Sequence, residues 1–356
     1  MKVHNFNGGP GILPQEVLQQ ASQAILNFNN SGLSILEIGH RTTLFENVLN
    51  EARSLVRELM NLSADHEVLF LHGGASTQFM QVPMNLLNED ETAAYIDNGI
   101  WGSKAIKEAK LFGKVEVVAS SKDKNHTYIP KDFTVPAEAK YLHYTTNNTV
   151  EGSQWHHIPD TNIPLIADMS SDIFSHTIDF NKFDLIYAGA QKNMGAAGVN
   201  LVVVNKNILG KVKRTIPTIL DYRMHIENGS MLNTPPVFAI YVSMLTLRWL
   251  KNLGGIAGIE KVNEEKSKLF YDTLDSLPVF KGTVAKEDRS RMNAVFVMEN
   301  PELEKAFLEV CKNENLYGVK GHRSVGGFRA SFYNALSIES VQVLAEVMKS
   351  FARRHG

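Results

Sequence analysis

Lys192 is the residue in this sequence best placed to react. It lies in residues 184–198, DLIYAGAQKNMGAAG, where Leu185, Ile186, Tyr187 and Ala188 form a run short enough for a buried strand. Gly189 and Ala190 let the backbone turn without side-chain bulk, and Gly195, Ala196, Ala197 and Gly198 lead into a second apolar run over 199–204. An amine held between buried strands loses hydration, its pKa falls toward the range of the neutral form, and it becomes a nucleophile for an aldehyde. Taken alone, the segment also reads as a surface lysine in a tight strand connection, the commoner case.

Upstream, the apolar run 164–167 ends on Asp168. A carboxylate there is costly to bury unless a cation meets it. A pyridinium nitrogen is such a cation, and the carboxylate would keep it protonated so that the ring withdraws electrons. Asp168 as an N-cap of the following segment is the competing reading. The turn Gly73-Gly74-Ala75-Ser76-Thr77 separates a strand pattern from a helix pattern, where free N–H groups and the helix dipole attract a phosphate. Tight turns need glycine in any case. Trp101, in the turn 97–102, can lay its ring against a planar cofactor, although a lone tryptophan is more often core. Two His-Arg pairs, His40-Arg41 and His322-Arg323, together with Arg329 among the glycines of 321–329, suit an anionic ligand, because arginine grips carboxylate or phosphate with a planar fork.

The elements that must position these groups follow from periodicity. Residues 1–14 hold Gly8, Gly9, Pro10, Gly11 and Pro14 and read as an irregular arm. Amphipathic helices are expected over 15–28 and 44–60. Strand, glycine turn and helix then alternate, with strands at 67–71, 92–96, 115–119, 141–144, 164–167, 185–188 and 201–204 and helices at 78–87 and 103–111. The expected fold is α/β: a large domain, 15–254, with a mixed, mainly parallel sheet of about seven strands, and a smaller C-terminal α+β domain, 255–356. Functional loops belong at the carboxyl ends of such strands.

With 356 residues, 44% hydrophobic and 21% charged content and a net charge of -2, the composition is that of a globular protein. It argues against nucleic-acid and membrane partners. The N-terminal segment lacks the apolar core of a signal peptide and Cys311 is the single cysteine, so a cytoplasmic location is expected.

An aldehyde-reactive lysine, an aspartate after a strand, a phosphate turn and a tryptophan are together the parts of a pyridoxal 5'-phosphate site. At this point the sequence resembles the phosphoserine aminotransferases, class V aminotransferases of the PLP-dependent fold type I, from Asn5 to the C-terminus. The resemblance is carried by FNGGP (6–10), IGHR (38–41), GGASTQF (73–79), AGAQKN (188–193), NTPP (233–236) and GHRSVGGFRAS (321–331), the last being the most specific. It implies transamination between glutamate and 3-phosphohydroxypyruvate, giving O-phosphoserine and 2-oxoglutarate. Lys192 would join the cofactor aldehyde and move the proton. Asp168 would pair with the pyridine nitrogen, Trp101 would stack on the ring and Thr149 would bond its hydroxyl. Ala75, Ser76 and Gln191 would hold the phosphate, with Asn233 and Thr234 of a second subunit in a homodimer. Arg329 would bind the substrate α-carboxylate. His322 and Arg323, with His40 and Arg41 of the partner, would bind the distal anion. One departure stands out: some members carry an arginine where Ser76 stands. The pyridoxine-pathway substrate 4-phosphohydroxythreonine is a further implied substrate. Two other readings are a class V enzyme of the alanine-glyoxylate type and a non-catalytic phosphate-binding α/β protein; Cys311, in an expected helix, disfavours a cysteine desulfurase.

Overall fold

The computed structural model describes residues 2–355. In chain order the elements are β1 (His4–Asn5), α1 (Gln15–Leu26), α2 (Thr43–Met60), β2 (His66–Leu71), α3 (Gly74–Leu86), β3 (Thr92–Asp97), α4 (Ile100–Ala109), β4 (Lys114–Ser120), β5 (Leu142–Thr145), β6 (Leu165–Asp168), β7 (Leu185–Gly189), β8 (Asn200–Asn205), α5 (Tyr222–Glu227), α6 (Val237–Asn252), α7 (Gly255–Ser276), β9 (Phe280–Gly282), β10 (Asn293–Met298), α8 (Glu304–Asn313), β11 (Leu316–Tyr317), β12 (Phe328–Ser331) and α9 (Ile338–His355).

Seven strands form one sheet in the order β2-β8-β7-β6-β5-β3-β4. Only β8 is reversed: it pairs antiparallel with both β2 and β7, and the other neighbouring pairs are parallel. The carboxyl ends of β2, β3, β5, β6 and β7 therefore share one edge with the start of β8. Strands β5, β6 and β7 are buried along their whole length, which is why they read as continuous apolar runs rather than alternating ones. One apolar cluster joins the sheet to α1, α2 and α6, and another packs α3 and α4 on it.

A separate cluster unites α7, α8, α9 and the sheet β12-β10-β9. The N-terminal arm is not wholly irregular. Its β1 pairs in parallel with β11, and Phe6 is buried in this second cluster. Cys311 is buried there too, and burial pushes its thiol up to about 12.

Two helices begin earlier than their periodicity predicts. Gly73, at φ 90°, turns the chain so that α3 starts at Gly74 and takes Ala75 and Ser76 into its first turn. A Cβ on Gly73 would overlap the Thr77 side chain. In α4 the first turn includes Trp101, because the buried Glu151 carboxylate accepts from Ile100 N at 2.8 Å and caps the helix from a distant loop.

The chain reversal after β12 is tied down from α7. Lys266, fully buried, donates to the carbonyls of Phe332, Tyr333 and Leu336 at 2.8, 2.9 and 3.1 Å. Burial lowers its pKa to about 7. Asn334 continues the link, with its N–H on Asn193 Oδ1 at 2.9 Å beside Lys192. Replacing Lys266 by Met should take a donor from all three carbonyls, leaving Tyr333 O only its bond from Leu336 N, and lower the unfolding free energy by about 2–4 kcal/mol, measured by chemical denaturation. An unchanged midpoint would show that water satisfies them.

Candidate active site

The loops at the common strand edge enclose a cavity of about 590 Å³, within the size usual for small-molecule sites. Each strand end contributes to its lining: Gly73–Ser76 after β2, Trp101 after β3, Asn147 and Thr149 after β5, Asp168, Ser170 and Ser171 at and after β6, Gln191 and Lys192 after β7, and Ala197 and Gly198 before β8. Gly8, Gly9 and Pro10 of the arm and His322 and Arg329 from the β12 region complete it.

Lys192 sits in the turn between β7 and β8. Ala190 N donates to Val199 O at 3.1 Å, Gly195 N to Ala190 O at 2.7 Å, and Gly11 N of the arm to Gln191 O at 2.7 Å. At Gly195 a Cβ would stand 3.0 Å from the Ser243 Cα of α6, so the turn packs directly on that helix. Lys192 Nζ donates to Thr149 Oγ1 at 2.7 Å. Enclosure lowers its pKa from 10.5 to about 8, although the cavity leaves part of the residue accessible; Asp168 opposes the fall, Arg329 adds to it and Asp172 opposes it weakly.

Asp168, 4% exposed, ends β6. Its Oδ1 accepts from Ser170 N at 2.9 Å, which closes a turn and caps no helix, since none begins directly after β6, and the residue lines the cavity. Burial raises its pKa, with the Ser170 hydrogen bonds and the Lys192 charge pulling the other way. A second acid lies behind it. Burial brings Asp172 up to about 7, while hydrogen bonds from Thr146 Oγ1 and Gln154 Nε2 counteract the rise.

Among the described residues no side chain caps the N-terminus of α3, whose first residues border the cavity. Trp101 packs at 6.4 Å on Phe79 of α3, and Lys104 Nζ lies 4.2 Å from its ring centroid. Trp101 Nε1 and Arg329 Nε have no hydrogen-bond partner among the described residues. His322 is lowered in pKa first by desolvation and then by Arg329, Arg323 and Lys104. An uncapped helix terminus, a buried acid, a depressed lysine and a cationic mouth fit an aldehyde-bearing, phosphorylated pyridine and an anionic substrate.

Of the residues singled out from the sequence, the cavity gathers Ala75, Ser76, Trp101, Thr149, Asp168, Gln191, Lys192, His322 and Arg329. It does not gather His40, Arg41, Asn233, Thr234 or Arg323. Arg323 is exposed one residue beyond His322, in a turn where His322 Nδ1 meets Ser324 Oγ at 2.7 Å. Thr234 is tethered by its carbonyl to His72 at 2.8 Å. Asn147, Glu151, Ser170, Ser171, Asp172 and Lys104 were not singled out; the clue available for the first two was the polar run 145–151 following a strand pattern.

Residues 3–344 match the family model Aminotransferase class-V. This chain belongs to that family. Within it, the chain is 58% identical to the phosphoserine aminotransferase of Flavobacterium johnsoniae over 98% of this chain and 99% of the relative. The solved phosphoserine aminotransferase of Bacillus circulans subsp. alkalophilus superposes with a TM-score of 0.97 at 44% identity, covering 100% of this chain and 99% of that one. A phosphoserine aminotransferase from Trichomonas vaginalis, solved with PLP bound, gives 0.93 at 36% identity over 98% of this chain and 100% of that one. The chain thus falls with the phosphoserine aminotransferases of class V, and its fold is theirs.

Aldehyde capture by Lys192 in the apoprotein should speed up as pH rises and level off above about 8, since only the neutral amine attacks. Replacing Arg329 by Met removes a repelling cation and should move that midpoint upward, whereas Asp168→Asn should move it down. Stopped-flow absorbance with pyridoxal phosphate measures both shifts, and a midpoint near that of free lysine would contradict the assignment.

Proposed function

We propose that this chain transfers the amino group of glutamate to 3-phosphohydroxypyruvate, giving O-phosphoserine and 2-oxoglutarate, the transamination step of serine synthesis. The observation that carries this is Lys192: an amine of lowered pKa, hydrogen-bonded to Thr149, in one cavity with a buried aspartate, an uncapped helix N-terminus and Arg329. The cofactor is pyridoxal 5'-phosphate, which when bound supplies the aldehyde that condenses with amines and a ring that draws electrons from the adjoining C–H bond.

The chain's own residues do the rest. N–H groups at the start of α3, with Ala75, Ser76 and Gln191, hold the phosphate. Asp168 keeps a proton on the pyridine nitrogen, Trp101 covers the ring face, and Thr149 orients Lys192 and the ring hydroxyl. Lys192 Nζ is the base that would take the proton from the substrate Cα and deliver it to the cofactor carbon that bears the aldehyde. Arg329 holds the α-carboxylate with its planar fork. His322 and Arg323 face the distal anion, and Lys104 adds positive potential at the same mouth. Glutamate carries a carboxylate where phosphoserine carries a phosphate, so one cationic pocket accepts both half-reactions. The pyridoxine-pathway substrate 4-phosphohydroxythreonine shares that phosphate and is a second substrate of the same pocket.

The site is completed in a homodimer, with His40, Arg41, Asn233 and Thr234 supplied by a second copy. Support comes from Leu18, Ile25, Leu26, Leu33 and Leu36, which are exposed on α1 and the loop that leads to His40. We place the protein in the cytoplasm; no helix among the described residues is long and apolar enough to cross a membrane. The small C-terminal unit, 255–356, acts as the domain that carries the substrate arginine.

Purified holoenzyme should show a visible band that O-phosphoserine discharges and serine does not, and Lys192→Ala should lose that response with its activity. A band discharged equally by both amino acids would refute the phosphate specificity. For the shared site, mixing the defective variants Lys192→Ala and Arg41→Ala should restore about a quarter of wild-type activity through hybrid dimers with one intact site. No recovery after subunit exchange would place Arg41 in its own chain's site.

A further inference from the structure

Arg329 reaches the cavity from β12, yet the direction of its guanidinium is set by the N-terminal arm. A Cβ built on Gly8 would overlap Nη2 and Cζ of Arg329 and stand 2.8 Å from Nε. The guanidinium donates one long hydrogen bond, Nη1 to the Thr149 carbonyl at 3.4 Å, and Nε has no partner among the described residues. One such bond leaves a planar fork free to swing. The backbone packed against its face removes that freedom.

Tyr333 pins the backbone in turn. It is 1% exposed and does not line the cavity, and its hydroxyl donates to the Gly8 carbonyl at 2.7 Å. Asn293 Nδ2 reaches the same hydroxyl at 3.3 Å and Ser331 Oγ at 2.9 Å. Asn293 Oδ1 accepts from Asn147 Nδ2 at 2.8 Å, and Asn147 lines the cavity. A buried chain of hydrogen bonds thus runs from the cavity floor through β10 to the arm. Tyr333 follows Ser331, the last residue of β12, by two positions, so the segment that carries Arg329 also carries the group that sets the wall against it.

We propose that Tyr333 is a positioning residue for substrate recognition, holding Gly8 against the Arg329 guanidinium so that its fork meets the α-carboxylate. This rests on the assignment of Arg329 to that carboxylate. The wall explains why glycine stands at position 8, since any side chain there displaces the arginine. The Tyr333 hydroxyl also neighbours Thr149, which receives Lys192; a role there would appear in the chemical step rather than in binding.

The test uses holoenzyme and two ligands that differ by one group. O-phosphoserine has the carboxylate, and O-phosphoethanolamine keeps the phosphate and the amine without it. Tyr333→Phe retains the packed ring and removes the hydroxyl. Its KM for O-phosphoserine and for glutamate should rise by about fivefold to tenfold, the usual effect of one uncharged hydrogen bond. Its kcat should stay near wild type, and the dissociation constant of O-phosphoethanolamine, read as a competitor and from the change in visible absorption, should not move. Gly8→Ala disturbs the same contact from the other side and should give the same pattern, which decides the matter if Tyr333→Phe does not fold. A fall in kcat at unchanged KM, or equal weakening of both ligands, would overturn the proposal. Arg329→Lys tests the underlying assignment separately: if it weakens both ligands alike, the α-carboxylate reading itself fails, whatever Tyr333→Phe does.

Discussion

The site depends on two charges that water would normally solvate being held where it scarcely reaches. Asp168 ends one buried strand and Lys192 follows the next, and β6 and β7 pair in parallel, so the register of one sheet fixes how the carboxylate and the amine face the same space. Burial pushes the acid up and the base down, and each partly offsets the shift of the other. The result is a lysine whose pKa falls to about 8 and a carboxylate in want of a cation. Neither property belongs to the residue type; both come from the enclosure.

Strand direction does the gathering. With β8 alone reversed, six strands bring their carboxyl ends to one edge, five of them followed by loops that line the cavity, and β8 delivers its beginning. Loops far apart in sequence then meet without any long connection crossing the sheet. What lies outside that edge, the cationic turn at 321–327 and Arg329, comes from the second core and is docked through a few buried polar links, Asn334 N–H to Asn193 Oδ1 and Asn334 Nδ2 to the Phe174 carbonyl among them.

Much of this was legible in the sequence where burial and local geometry act together. The seven strands, the lysine turn and Asp168 were readable because continuous apolar runs bounded by glycine leave few alternatives. The helix starts were less so. The sequence pattern places Trp101 in a loop because its helix is capped by Glu151, some fifty positions on, and no local pattern announces a cap that arrives through space. Lys266 is invisible for the converse reason: in a helix of mixed polarity a lysine reads as solvated, and only the three carbonyls packed over it reveal otherwise. Asn147, Asn293 and Tyr333 are ordinary residues until their hydrogen-bond partners from distant segments are in place. His40, Arg41, Asn233 and Thr234 lie outside this chain's cavity, and no local pattern in the sequence distinguishes them from the residues that line it.

The N-terminal arm gives the molecule an unusual kind of connectivity. Lys2 forms an ion pair with Glu339, His4 bonds Ser340 and β1 pairs with β11, so the first residues of the chain are moored to the last helix and the strand before it. From that mooring the chain passes directly against Arg329 and over the lysine turn. Because Phe6 is also part of the second core, the arm ties the packing of that core to the position of the wall beside Arg329.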